Sequence, residues 1–253
     1  FITIGQHTEI LDAGAPVQVQ LLGHGLDAAD LIFIGSHCVG LDWLSGQLIR
    51  QGLRIKTLSV GSTGGLMAAK RGECDVAGIH LMDPATGIYN RPLLTPALSL
   101  VPGYGRMQGI VYRPGDSRFE GRNAAAAMAA ATADAGCTLV NRNAGSGTRI
   151  LIDRLLGGLK PPGYGVQTKS HNAVAVAVAQ QRADWGLAID TVARQYGLGF
   201  IPVQEESYDF VVPTARLDRA PVQAFVALLQ APPTREALRA LGFRVDNAAG
   251  ASA

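Results

Sequence analysis

A chain of 253 residues with 47% apolar content can bury one large core or two of ordinary size, and a formal net charge of +2 with only 17% charged residues leaves no basic surface for nucleic acid. Three cysteines, Cys38, Cys74 and Cys137, are widely spaced and form no C-x-x-C, which argues against a zinc site or a disulfide scaffold and fits small core residues in a reduced compartment. No run reaches the ~18 to 20 apolar residues of a membrane helix, and no basic segment followed by an apolar one marks a signal peptide.

The chain begins at Phe1 rather than Met, so a segment ahead of it is expected to have been removed. Residues 1 to 30 carry little signal; 17 to 22 allow a short strand or a plain lead-in. Leu31-Ile32-Phe33-Ile34 reads as a buried strand ending at Gly35-Ser36-His37, and Leu41, Leu44, Leu48 and Ile49 follow at helical spacing. Residues 55 to 60 predict the next strand, Gly61-Ser62-Thr63-Gly64-Gly65 a turn, 64 to 72 a helix and 75 to 81 a further strand. Alternating strands and helices imply parallel βαβ units whose right-handed crossovers bring every strand-to-helix turn to one edge of the sheet, so Ser36 and Ser62 are expected to face a common crevice.

Proline and glycine punctuate residues 82 to 102. Strands are expected at 98 to 101 and at 108 to 112, the latter crossing between lobes. The alanine-rich stretch 123 to 133 predicts a helix. Cys137-Thr138-Leu139-Val140 then leads into Asn141-Arg142-Asn143-Ala144-Gly145-Ser146-Gly147-Thr148-Arg149 and a helix over 150 to 156. A strand that turns through glycines into a helix gathers unpaired backbone N–H groups, hydroxyls and the positive end of the helix dipole at one spot, which attracts anions.

The second half echoes the first. Setting Asp184 against Asp75 places Ser170-His171-Asn172-Ala173 beside Gly61-Ser62-Thr63-Gly64, with a similar helix before the aspartate and a similar strand after it. A structural repeat of about 110 residues suggests two lobes of like topology. Residues 200 to 202 and 208 to 212 are expected to return the chain to the first lobe. Closing helices are expected at 221 to 229 and 234 to 241, and 247 to 253 as a disordered tail.

With these residues laid out, the chain resembles the periplasmic molybdate-binding-like domain family, a branch of the type II solute-binding-protein fold. The resemblance rests on Ile34-Gly35-Ser36-His37, on residues 59 to 66 and 75 to 90, on Gly103-Tyr104-Gly105-Arg106-Met107-Gln108-Gly109 and on residues 140 to 149, and covers roughly 30 to 215. The Ser-Gly-Thr core also looks like the second-lobe turn of tungstate-binding proteins. The resemblance implies an α/β fold of two lobes, each a mostly parallel sheet flanked by helices, lobe I from 1–104 and 205–253 and lobe II from 105–204, with an oxyanion between them. In that family the domain stands alone, follows a DNA-binding helix-turn-helix module or is fused to a molybdopterin-biosynthesis protein. Cys38 departs from the pattern, where an acidic residue is expected.

Molybdate or tungstate offers only acceptors, so its site must be built of donors. The candidates are Ser36, His37, Ser62, Thr63 and Gly64 from the first lobe, Gly145, Ser146, Gly147 and Thr148 from the second, and His171 and Asn172 at the repeat equivalent of Ser62 and Thr63. The serines could equally be helix caps. Arg106 and Arg149 are the cations expected near the cleft; Arg149, on a first helical turn, needs either an anion or the i+4 partner Asp153. His80 and Asp83 end a strand near the site, and Asp83 is better suited to holding the irregular segment than to meeting an anion. No nucleophile elbow, phosphate loop, H-E-x-x-H or dinucleotide fingerprint is present, so no enzyme, cofactor or metal is expected. The expected role is a cytoplasmic effector-sensing domain of a transcription regulator, meeting DNA only through a module outside this chain and inserting in no membrane. The alternatives are a periplasmic solute-binding protein serving an ABC transporter permease, or a sensor of an organic or phosphorylated anion such as a molybdenum-cofactor-related ligand.

Overall fold

The computed structural model describes residues 2–20, 23, 27–83 and 85–245. Leu31–Gly35 forms β1, Val39–Arg50 α1, Ile55–Ser59 β2, Gly61–Lys70 α2 and Ala77–Ile79 β3. β1 pairs in parallel with β2, and Phe33 bridges in parallel to Val76 just before β3. After a 3-10 turn at Arg91–Leu93 come β4 (Leu98–Tyr112), α3 (Ala124–Ala133), β5 (Leu139–Arg142), α4 (Gly147–Leu156), β6 (Gln167–Thr168), α5 (His171–Ala179), β7 (Trp185–Ile189) and α6 (Asp190–Gln195). β8 (Gly199–Pro213), α7 (Ala220–Gln230) and α8 (Pro232–Ala240) close the chain. The larger sheet has the order β3-β8-β4-β7-β5-β6, parallel across β7-β5-β6 and antiparallel where β4 and β8 take part.

The repeat read from the sequence has a physical counterpart. In the first half β1-α1-β2-α2-β3 and in the second β5-α4-β6-α5-β7 follow the same course, and one aspartate does the same job in each. Asp75 accepts the Ile32 N–H at 2.8 Å, and Asp184 accepts the Thr138 N–H at 2.7 Å. Each carboxylate sits ahead of the last strand of its unit and fastens the start of the first. Arg216 and Arg219 neutralise Asp75, while Arg113 and Arg118 neutralise Asp184.

Two long strands replace four short ones. Residues 98 to 101 and 108 to 112 belong to a single β4, and 200 to 202 and 208 to 212 to a single β8, because each strand supplies the other with backbone partners over its whole length. The register shift between Val101 and Tyr104 absorbs the interruption at Pro102 and Gly103, and a second, between Gln108 and Gly109, leaves Val203 of β8 without an opposite residue. Helix α2 starts at Gly61, three residues earlier than its apolar spacing suggested. At 17 to 20 only an isolated bridge from Val19 to Ile2 is formed; 21 and 22, and the expected tail 247 to 253, lie outside the described residues.

Two principal apolar clusters hold the fold. The first gathers Phe33, Leu44, Tyr104, Tyr208, Phe210 and Phe225, with Phe210 and Phe225 edge to face at 4.9 Å. The second gathers Phe119, Leu139, Ile152 and Trp185 and receives Ala127, Met128 and Ala131 of α3, whose first turn is capped by Asn123 accepting the Ala126 N–H at 2.9 Å. Each large side chain so buried contributes roughly 1.5 to 3 kcal/mol over leaving it in water. The three cysteines are buried and unbridged, in keeping with the core role expected for them. Among the described residues no helix is long and apolar enough to cross a membrane.

Candidate anion-binding site

β4 and β8 cross the middle of the molecule side by side, and strand alternation puts every second residue on one face. Tyr104 faces Tyr208, Arg106 faces Glu206 and Gln108 faces Gln204 along that face. Arg106 Nε donates to Glu206 Oε1 and Gln108 Nε2 to Glu206 Oε2. The Arg106 guanidinium lies over the Tyr208 ring, 4.6 Å from its centroid. His80, just past β3, completes the group with Nδ1 2.7 Å from Glu206 Oε2. Since a carboxylate can only accept, Nδ1 carries the proton and Nε2 accepts from Ser36 Oγ at 2.9 Å. The His80 backbone N–H donates to Ser62 Oγ at 3.1 Å, and the Tyr208 hydroxyl donates to the Ser36 carbonyl.

The second half supplies the opposite wall. β5 ends in the buried pair Asn141 and Arg142, and the turn after it uses Gly145 at φ +82°, a conformation glycine adopts without penalty. Ser146 caps α4 by accepting the Arg149 N–H at 3.1 Å. The next residue must also be glycine, because a Cβ on Gly147 would stand 2.8 Å from the His80 ring. Thr63 Oγ1 donates to the Gly145 carbonyl at 3.3 Å, so the two glycine-serine turns meet face to face. Ser170 caps α5 through the Ala173 N–H at 3.1 Å, which leaves His171 at the start of that helix, buried.

Several polar atoms enclosed here have no partner within the protein. They include Arg106 Nη1 and Nη2, Arg142 Nε and Nη1, Thr148 Oγ1 and both ring nitrogens of His171. All four residues are at most 2% exposed. Burial, reinforced by the charge of Arg106, pushes the Arg142 guanidinium down to about 10, still protonated at neutral pH. Burial would pull Arg106 down as well, but Glu206 together with Cys38, Tyr208 and Tyr104 offsets it and leaves Arg106 above its ordinary value. Glu206 moves below the usual carboxylate range: burial would raise it, and Arg106 and His80 overcome that. His80 is lowered by burial against the pull of Glu206, and His171 is driven well down by burial and by Arg142 and Arg106. At neutral pH the group therefore holds two guanidinium charges, one carboxylate and two neutral imidazoles. One buried positive charge is left without a counterpart, an arrangement that costs several kcal/mol unless an anion answers it. Buried guanidinium and hydroxyl donors left without acceptors suit an oxyanion. Among the described residues no group of histidine, cysteine and carboxylate side chains could hold a metal ion.

The residues expected from the sequence divide into three sets. Arg106, Thr148 and His171 keep buried donors without a partner, and Asn172 Oδ1 and His37 Nδ1 are also unpartnered. Ser36 and Ser62 are buried but spent on His80, Ser146 is a helix cap, Thr63 and Gly145 hold each other, and Gly147 admits His80. His37 Nε2 pairs with Asp42 Oδ2 at 2.8 Å, and Gly64 lies against Val60 within its own helix. Arg149 is taken by its bland partner: Nε sits 2.9 Å from Asp153, and the guanidinium lies 4.5 Å from the Tyr164 ring centroid. Asp83 holds the irregular segment as expected, accepting from Thr86 Oγ1 at 2.7 Å and from the Ala85 N–H at 3.3 Å. Cys38 stands at the N-cap of α1 and makes no side-chain cap there.

Arg142, Glu206 and Gln108 were not among the expected residues. A signal for Arg142 existed, since Asn141-Arg142 carries polar side chains where the buried strand Leu139-Val140 is still running. Glu206 and Gln108 become legible only once β4 and β8 are known to be paired in register.

Comparison with known proteins fits this architecture. The chain is 33% identical over 162 residues to the uncharacterized protein YvgK of Bacillus subtilis (strain 168), a match covering 60% of this chain and 51% of that protein. The chain thus spans about half the length of the curated relative it matches. Its fold is similar to that of a putative phosphate ABC transporter substrate-binding protein with bound phosphate from Clostridium perfringens, with a TM-score of 0.63 at 11% identity over 86% of this chain and 99% of the other. It is similar also to the tungstate-binding protein TupA from Desulfovibrio alaskensis G20, with a TM-score of 0.54 at 17% identity over 82% and 92% of the two chains. These likenesses establish the two-lobe α/β binding-protein fold. The family shown is broader than the molybdate-binding branch the sequence resembles. The PBP superfamily domain profile matches residues 45–230, and the chain belongs to that superfamily.

Proposed function

We propose that the chain binds a fully ionised tetrahedral oxyanion, such as molybdate or tungstate, between its two halves without transforming it. The observation that carries this reading is the one uncompensated buried charge of the group formed by Arg106, Arg142 and Glu206, together with the donors of Arg106, Arg142, Thr148 and His171 that find no acceptor within the protein. The one carboxylate of the group, Glu206, has both oxygens engaged by Arg106, His80 and Gln108. It is therefore poorly placed to accept a proton from hydrogen phosphate, and an anion without one is favoured. Likeness to a protein named for tungstate binding supports the same choice.

The biological role that fits three buried free cysteines is a cytoplasmic effector-sensing domain of a transcription regulator. Likeness to a phosphate transporter's substrate-binding protein supports a second reading, delivery of the anion to a membrane transporter. The reading frame upstream of Phe1 separates them: a helix-turn-helix module supports the regulator, a signal peptide the transporter. Ligand binding itself is tested by calorimetry against molybdate, tungstate, sulfate and phosphate. Binding of molybdate or tungstate is expected, and silence with all four at millimolar concentration rejects the oxyanion reading.

A further inference from the structure

Beside the arginine cluster lies a cavity of about 250 Å³. Its body is apolar, formed by Leu81, Met82, Ile150 and Leu151, and the wall it shares with the cluster is made by His80, Gln108, Glu206 and Gly147. Most of its surface is apolar, and the polar groups along its edges largely engage one another, which favours an apolar guest over water. A wholly apolar cavity of ~150 Å³ is already large enough for benzene. The shared wall carries one polar atom that the protein leaves unanswered, the buried Gln108 Oε1.

We propose that this cavity seats an organic substituent on the anion, so that the natural ligand is an oxyanion head joined to an apolar body of up to about ring size, as in an organic phosphonate or sulfonate. The proposal rests on the anion reading of the arginine cluster and narrows it. An XO₃ head presents three acceptor oxygens and, when fully ionised, no proton. That matches a cluster rich in donors whose carboxylate is already engaged. The fourth position of the tetrahedron, which in molybdate is a further oxygen, is then free to carry carbon past Gly147 and Gln108 into the apolar space. Gln108 Oε1 accepts a hydrogen bond from an N–H or O–H on that body. At the outer edge Arg154 donates to Gln204 Oε1, and Gln204 Nε2 donates to the Tyr89 hydroxyl, so a polar fringe bounds the apolar floor.

The test is calorimetry at pH 8 with methylphosphonate and phenylphosphonate, run beside molybdate and tungstate. Phenylphosphonate is expected to bind at least tenfold more tightly than methylphosphonate. Ile150 is 58% exposed, so Ile150→Trp can fill the cavity from its rim without disturbing the core; Met82→Phe is a second blocking variant. Either is expected to abolish the advantage of the phenyl group while leaving methylphosphonate affinity within twofold. Equal affinity for the two phosphonates, or a phenyl advantage that survives both blocking variants, overturns the proposal. Phosphonates silent while molybdate or tungstate binds overturns it too and leaves the anion reading standing, whereas silence from every anion rejects both.

Discussion

Arg142→Met separates a structural arginine from a ligand-binding one, because the two roles predict opposite changes in stability. The guanidinium is 2% exposed and sits near Arg106, and only Nη2 has a partner, the Lys169 carbonyl at 3.3 Å. Its value of about 10 lies two to three pH units below an ordinary arginine, which corresponds to about 3 kcal/mol against the charged form. Methionine keeps the length and apolar stem without the charge. Part of that energy is returned as repacking is imperfect, so protein without anion is expected to gain roughly 1 to 3 kcal/mol. At about 2 to 4 °C per kcal/mol for a chain of this size, thermal unfolding should shift upward by several degrees. The same variant removes Nε and Nη1, two donors of charge-assisted hydrogen bonds worth roughly 1.5 to 3 kcal/mol each. Affinity for molybdate or tungstate should accordingly fall by a hundredfold or more in calorimetry. A variant less stable than the parent without anion, yet equal to it in affinity, refutes the reasoning and makes Arg142 a structural strut.

Other expectations follow from the same geometry. Thr148→Val replaces an unpartnered buried hydroxyl by a methyl, so stability should hold or rise while anion affinity drops by ten- to a hundredfold; unchanged affinity would remove Thr148 from the site. Arg149→Ala breaks the pair with Asp153, the bond from Nη1 to the Arg142 carbonyl and the contact with Tyr164, and should lower stability by roughly 1 to 2 kcal/mol with affinity retained. His80 and His171 both titrate below their ordinary value, so the unfolded chain takes up protons that the folded one refuses once the pH falls below about 6.5. Stability is then whole above that pH and declines below it, by up to about 1.4 kcal/mol per pH unit for each histidine; denaturant midpoints independent of pH between 5 and 7 would contradict the assignment. Saturation with a bound anion should raise stability by roughly 2.7 kcal/mol at 100 times the dissociation constant. If the halves also close about the β4 and β8 crossings, small-angle scattering should register a smaller radius of gyration, and an unchanged profile argues for a preformed site.

Much of the fold was legible because it rests on local signals. The strands beginning at Leu31 and Trp185, the glycine-serine turns and the alanine-rich helix each announce themselves within a few residues. The equivalence of Asp75 and Asp184 was visible as an alignment, and its cause, a carboxylate bonding the start of the neighbouring strand, needed coordinates. The site was legible in its neighbourhood more than in its chemistry. Sequence reasoning stressed hydroxyls at helix starts, and the structure assigns most of those hydroxyls to holding His80 or capping helices. The charged groups that matter come from positions separated by long stretches of chain: Arg106 and Glu206 are 100 residues apart. Arg149 attracted attention for a cation misplaced on the helix dipole, and the i+4 carboxylate answers that misplacement locally. Arg142, seven residues earlier, had no such local answer and, like Arg106, is left with unpartnered donors.

The facing rung of Arg106 and Glu206 has a mechanical meaning. These two side chains lie on the two described strands that stand between β3 on one side and β7 on the other, and not at the tip of either half. If the halves close about these crossings, the pair is the fulcrum of that movement, and an ångström gained there is magnified at surfaces remote from it. The construction is also intolerant of slippage. A single residue inserted into β4 ahead of Arg106 would turn Tyr104 or Arg106 to the opposite face of the ribbon, while two inserted residues would restore the facing and displace the charge by one rung. The spacing from Tyr104 to Gln108 is thus a gear-tooth dimension, set by the partner strand and not by the ligand alone.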